Sequence, residues 1–249
     1  MSVELTIFRT GGVRLTNATF FPWLDAPEKD ELIDIPVWSA LIRSPEGLIV
    51  FDTGLHPVHV ERPDATYGPR PTMQITMSAD DAIVLRLAAL GVKPDDVTIV
   101  VNSHLHFDHA GNNRAFPNAT FIVQAEHFAY AKGKPSFPAV YWDDPALRYM
   151  PVGGRAKVAA GVEVVPTPGH APGHQSLVLD LPETGRIVLC GDAAFTRENL
   201  ERGEATAQDG AAAKSSLALI RSLVHDDLDR AFPSHDAAAF ATWRRTAYA

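Results

Sequence analysis

The stretch Thr98-Ile99-Val100-Val101-Asn102-Ser103-His104-Leu105-His106-Phe107-Asp108-His109-Ala110-Gly111 decides how the rest of the chain is read. A β-branched apolar run of strand length passes directly into three imidazoles and a carboxylate. Neutral imidazole and carboxylate are the donor types that suit zinc and other first-row divalent ions. In an extended segment the alternation of side chains puts His104 and His106 on one side. Asp108 and His109 come after the chain has turned, so they can face a second ion. Imidazoles packed this densely without a cation would leave their nitrogens competing for partners.

Three later segments repeat the theme of a ligand-type side chain just past an apolar run. Thr167-Pro168-Gly169-His170 follows the run at 162–165, and Cys190-Gly191-Asp192 closes the run at 186–190. Phe232-Pro233-Ser234-His235 follows the apolar pair Ala231 and Phe232. Open α/β sheets place their sites at strand ends of this kind.

Composition bounds the alternatives. The chain has 249 residues, 46% hydrophobic and 21% charged, which is ordinary globular usage and argues against disorder. Its formal net charge is −8, which disfavours nucleic acid as a partner. A single cysteine, Cys190, excludes an intramolecular disulfide and a Cys-rich zinc module. No apolar run approaches the ~20 residues that span a bilayer, and the first ten residues lack the pattern of a secretory leader. The expectation is a cytoplasmic protein with no membrane partner.

Apolar runs at 3–8, 37–42, 48–51, 98–101, 120–123, 162–165, 176–181 and 186–190 read as strands. Helical spacing covers 80–90, 124–132 and 213–224, with Gly91 as a C-cap. Gly11-Gly12 and Pro45-Glu46-Gly47 read as turns. Residues 56–77 and 131–151 read as long irregular loops, the usual place for lids and binding loops. The mixture suggests an α/β chain of two mixed sheets between helices, in one domain over 1–249.

The ordered signatures resemble the metallo-β-lactamase-fold hydrolases, whose fold is an αββα sandwich. The resemblance runs from Phe51-Asp52-Thr53-Gly54 to His235. It implies one metal ion held by His104, His106 and His170, and another held by Asp108, His109 and His235. Asp192 would bridge the two, where the best-known class of metallo-β-lactamases has cysteine. Asp52 would be a structural aspartate beneath the histidine loop. The implied metals are two divalent ions, zinc first, with iron, manganese or cobalt compatible.

Within the superfamily the sequence is most similar to the N-acyl homoserine lactonase group. Ser103 to Gly111, Phe116-Pro117-Asn118-Ala119, Thr167-Pro168-Gly169-His170-Ala171-Pro172-Gly173-His174-Gln175-Ser176 and Ser234-His235-Asp236 carry that resemblance. It implies lactone-ring opening by a hydroxide shared between the ions, with Asp108 carrying a proton to the leaving alkoxide. A homodimer is compatible with the group. One position departs from it: a tyrosine commonly stands three residues after the bridging aspartate, and here that residue is Phe195. Phenylalanine donates no hydrogen bond. The departure leaves open another lactone, such as 4-pyridoxolactone, or a thioester or phosphotriester.

Apolar loop residues are the candidate substrate wall: Trp23, Met73, Phe107, Trp142 and Phe195, joined by Phe20, Phe21, Met77, Phe137 and Tyr141. His174 reads as a hydrogen-bonded turn histidine or as a partner that orients a ligand. His56 and His59 are expected to be solvated, His127 to sit on the surface of its helix, and His225 to end a helix.

Overall fold

The computed structural model describes residues 3–243 and 247–249. In chain order the strands are β1 (Glu4–Thr16), β2 (Leu32–Ser44), β3 (Gly47–Phe51), β4 (Met73–Thr76), β5 (Val97–Val101), β6 (Thr120–Gln124) and β7 (Arg148–Val152). They continue as β8 (Ala156–Ala159), β9 (Val162–Pro166), β10 (Gln175–Leu181), β11 (Gly185–Gly191) and β12 (Ala231–Pro233). The helices are α1 (Val58–Glu61), α2 (Ile83–Ala89), α3 (Ala125–Ala131), α4 (Ala139–Trp142), α5 (Arg197–Arg202), α6 (Gly210–Leu223) and α7 (Ala237–Thr242).

Two mixed sheets result. One has the order β4-β1-β2-β3-β5-β6-β7 and the other β12-β11-β10-β9-β8. The interior between them takes alternate residues of both. Leu5, Ile7, Trp38, Ala40, Ile42, Phe51 and Val101 meet Val162, Val164, Leu177, Leu179, Leu189 and Phe232. On the outer face of the first sheet, Ile83 and Leu87 of α2 pack on Leu41, Val50, Val100 and Phe121. On the outer face of the second, Leu217 and Ile220 of α6 pack on Val178 and Val188. This is the expected αββα sandwich, each helix burying one apolar stripe. No helix among the described residues is long and apolar enough to cross a membrane.

All eight expected strands form, most of them longer than expected. Gly11-Gly12 is not a turn. β1 runs straight through it with a register shift between Arg9 and Gly11, because β2 offers an equally long partner. The 56–77 segment is not wholly irregular: it holds α1, and β4 pairs with β1 from Gly12–Thr76 to Leu15–Met73. The 131–151 segment likewise holds α4 and the start of β7.

Trp142 is not a loop residue facing a substrate. It is fully buried beside Leu105, Val123 and Phe137, and its indole N–H donates to the Phe137 carbonyl at 3.2 Å. Its bulk packs against Leu105 of the histidine loop. Trp142→Ala is expected to lower stability by about 3–5 kcal/mol in urea unfolding. A loss below about 1 kcal/mol would contradict this packing role.

Candidate metal centre

The side chains at issue leave the carboxyl ends of five strands. Asp52 follows β3, the 104–109 loop follows β5, His170 follows β9, Asp192 follows β11 and His235 follows β12. Gly191 brings two of these loops together. Its φ is +54°, and a Cβ there would lie 2.7 Å from Ser103 Cβ and 2.8 Å from His174 Nε2. Only glycine permits that approach without strain.

Two groups of ligand-type atoms converge. His104, His106, His170 and Asp192 form one, and Asp108, His109 and His235 form the other, with the atoms of each group within 4.8 Å of one another. His104 Nε2 lies 2.8 Å from His106 Nδ1, which lies 3.2 Å from His170 Nε2. Asp192 faces both groups, one oxygen to each. Its Oδ2 is 3.4 Å from His170 Nε2 and 3.7 Å from His104 Nε2. Its Oδ1 is 3.1 Å from His109 Nε2 and 3.2 Å from His235 Nε2. Asp108 Oδ2 closes the second group, 3.5 Å from His109 Nε2 and 3.7 Å from His235 Nε2.

The donor set fits a pair of divalent cations. His109 Nε2 and Asp192 Oδ1 are buried and, although 3.1 Å apart, neither makes a hydrogen bond of good geometry. A cation satisfies such atoms, whereas leaving them bare is costly. A single proton likewise joins only two of the three nitrogens that meet at His106.

Electrostatics divide the histidines. Burial, reinforced by neighbouring imidazoles, holds His104 and His170 well below the usual histidine pKa, and His106 down to about 4. These three are neutral, as metal ligands must be. Burial also pushes His109 and His235 down, but Asp192 and Asp108 outweigh it and raise both. Burial pushes Asp192 up, yet His109, His235 and His170 hold it well below the usual carboxylate range.

A second layer of bonds fixes the rings. Asp52 accepts from the Ser103 amide and hydroxyl, each at 2.7 Å, and from His109 Nδ1 at 2.8 Å. That is the structural role expected of it. His109 therefore presents Nε2 to the cleft. His235 Nδ1 donates to the Pro36 carbonyl at 2.9 Å. His174 accepts from the Asp192 amide at 3.0 Å, and its Nδ1 lies 3.0 Å from Thr167 O. It is thus both a hydrogen-bonded turn residue and a partner of the shared carboxylate.

The aromatic residues named for a substrate wall fall into separate places. Phe107 and Phe195 pack in one cluster with Phe20, Tyr141, Met73 and Met77. Phe195 lies 5.4 Å from His170 and 6.1 Å from His235, so it spans both groups. Trp23 stands apart, against Phe21 at 5.6 Å and under Arg202. Phe137 stacks face to face on His106 at 4.5 Å.

Two histidines correct the sequence reading. His59 is buried, not solvated, with bonds to Pro63 O and Thr66 Oγ1. His127 is fully buried, not on the surface, because its partners lie in two remote loops. Asn199 is a further residue of the site that none of the ligand motifs marks. Its amide accepts from the Phe195 and Thr196 N–H groups and donates to the Phe20 carbonyl. The Thr196 cap three residues earlier was the available signal.

The family model described as the metallo-beta-lactamase superfamily matches residues 32–235. The chain belongs to the metallo-beta-lactamase superfamily. Within that superfamily, an N-acyl homoserine lactonase of Bacillus cereus is 36% identical over 211 residues, covering 82% of this chain and 83% of the relative. An N-acyl homoserine lactonase of Azorhizobium caulinodans is 35% identical over 182 residues, covering 67% of this chain and 68% of that one. A solved N-acyl homoserine lactone hydrolase, with N-hexanoyl-L-homoserine bound at its catalytic metal centre, superposes with a TM-score of 0.90. It is 32% identical, and the match covers 98% of each chain.

The raised pKa values of His109 and His235 make metal loading a proton-releasing event. The carboxylates beside both rings favour their protonated forms, so a cation competes with protons there, and its affinity falls as pH falls. Zinc titration at pH 7 in buffers of different ionisation enthalpy is expected to register release of at least one proton per chain. Binding that is indifferent to the buffer would contradict the charge assignment.

Proposed function

We propose that this chain is a dinuclear metal-dependent lactonase that opens the ring of N-acyl homoserine lactones. The observation that carries the reading is the division of Asp192, one oxygen toward each of two ligand groups. It is supported by a backbone that superposes on a lactone hydrolase holding its product at the metal centre.

His104, His106 and His170 would hold one ion, and Asp108, His109 and His235 the other, with Asp192 between them. Zinc suits this nitrogen and oxygen set, and iron, manganese and cobalt are compatible. When bound, the two ions supply Lewis acidity and lower the pKa of a water from 15.7 to about 7. In the reaction, water oxygen adds to the lactone carbonyl carbon, the ring C–O bond breaks, and the alkoxide takes a proton. Asp108 would carry to it the proton that the attacking water gives up, its Oδ2 lying 3.5 Å from His109 Nε2 and 3.7 Å from His235 Nε2. The product is the ring-opened hydroxy acid. Phe20, Phe107, Phe195 and Met73 form an apolar wall for the acyl chain and exclude water from the reacting atoms. The reading extends to a cytoplasmic setting, in which the buried Cys190 thiol stays reduced, and to a homodimer.

Phe195 favours a second reading. It supplies no hydroxyl to the carbonyl oxygen, so another lactone, a thioester or a phosphotriester could be the better substrate of the same site.

A proton-release assay separates the two. The panel holds short- and long-chain N-acyl homoserine lactones, 4-pyridoxolactone, a thioester and a phosphotriester. The expected result is a kcat/KM above about 10⁴ M⁻¹s⁻¹ on the acyl homoserine lactones. Clear preference for another panel member would move the substrate. Asp108→Ala is expected to lower kcat by at least about 100-fold with the fold intact by circular dichroism; near-normal turnover would refute its role. Phe195→Tyr supplies one neutral donor and is expected to raise kcat/KM about 2–10-fold, the equivalent of roughly 0.5–1.5 kcal/mol. A fall in kcat/KM would show that the dry aromatic wall matters more than the donor.

A further inference from the structure

We propose that His127 is a positioning residue that sets how tightly the His104/His106/His170 group holds its ion, while leaving the Asp108/His109/His235 group untouched. The inference rests on the dinuclear reading above. His127 lies on α3, far in sequence from either loop, and is fully buried. Both of its ring nitrogens are committed. Nε2 accepts from the Leu105 amide at 2.9 Å, and Nδ1 faces the Pro172 carbonyl at 2.8 Å. An imidazole that accepts at Nε2 must carry its proton on Nδ1, so the second contact is a donation to Pro172 O. The ring is neutral and has no nitrogen left for a metal.

Its partners give the ring its role. Leu105 stands between His104 and His106, and Pro172 stands two residues after His170. One side chain therefore joins the two loops that supply all three imidazoles of the first group. Packing reinforces the joint. At Gly173, whose φ is +66°, a Cβ would come within 2.4 Å of the His127 amide nitrogen, so the turn is pressed against α3. Phe137 lies parallel to His106 at 4.5 Å and meets His127 edge-on at 5.1 Å. The His127 ring thus holds both the backbone of the loop and the ring that backs His106.

The second group is fixed by other means. His109 is held by Asp52, and His235 by the Pro36 carbonyl. Loss of His127 should be felt unequally by the two ions. A partner that merely stabilised the fold would weaken both alike.

Metal affinity, read by chelator competition with zinc, tests this alongside thermal unfolding. The wild type is expected to bind two ions. In His127→Ala, one ion is expected to weaken about 10–100-fold, the usual cost of losing an outer partner of a ligand, and the other to stay within about 3-fold. In a His235→Ala background the remaining ion should weaken by the same factor, which identifies it as the one at the first group. His127→Gln keeps one acceptor and one donor and is expected to stay within about 3-fold of wild type. His127→Leu, of similar size, keeps neither bond and is expected to lose at least about 10-fold, so the Gln and Leu pair decides the matter if the alanine variant does not fold. Equal weakening of both ions, or no weakening in the Leu variant, overturns the role of His127. Fewer than two ions in the wild type overturns the dinuclear reading itself, and the His127 role with it.

Discussion

Asp192 imposes the constraint on which the site depends. It is a buried carboxylate with a histidine pair within 3.7 Å of each oxygen. A charge this far from water is tolerated only where opposite charge and hydrogen bonds surround it. The protein meets that demand by bringing strand ends from both sheets to one place. The second sheet delivers His170, Asp192 and His235, and the first delivers the 104–109 loop and the Asp52 beneath it. The two-sheet core lies below, so the loops rest on rigid strand ends. Site geometry and fold stability are therefore coupled through the same carboxylate.

The ligand set is split electrostatically as well as spatially. Burial holds the histidines of the first group below the usual imidazole pKa, whereas the carboxylates beside His109 and His235 raise both. The second group also contains Asp108, the residue proposed for proton transfer. The two halves therefore offer different environments to the ions they would hold: a trio of imidazoles, and a trio that includes a carboxylate. Phe195 roofs both halves with an apolar ring, and Asn199 fixes that ring and the Phe20 segment in one network.

Much of this was legible in the sequence because ligand chemistry is local. His104 to His109 could be read as a unit, His170 and Asp192 each followed an apolar run read as a strand, and His235 followed only the apolar pair Ala231 and Phe232, which the structure shows to be the short β12. The sandwich followed from runs such as 162–165 and 176–181, whose alternation survives in the packed sheets. What escaped depended on remote partners. β4 is short and its pairing exists only because β1 continues past its bulge. His127 sits at an amphipathic helix position that looks exposed, and nothing in its neighbours announces Leu105 or Pro172. Trp142 lay in a stretch rich in aromatic and turn residues, and only the fold shows that its indole points inward. The roles of these residues are set by tertiary contact, which single-sequence patterns do not encode.

The most direct test of the central claim is reconstitution. The protein would be stripped of metal with a chelator, dialysed and refilled stepwise with zinc while N-acyl homoserine lactone hydrolysis is followed by proton release. Stripping is expected to abolish turnover, and activity is expected to return fully only as the second equivalent per chain is added. Turnover that survives stripping, or that is complete after one equivalent, would contradict a site built around the two faces of Asp192.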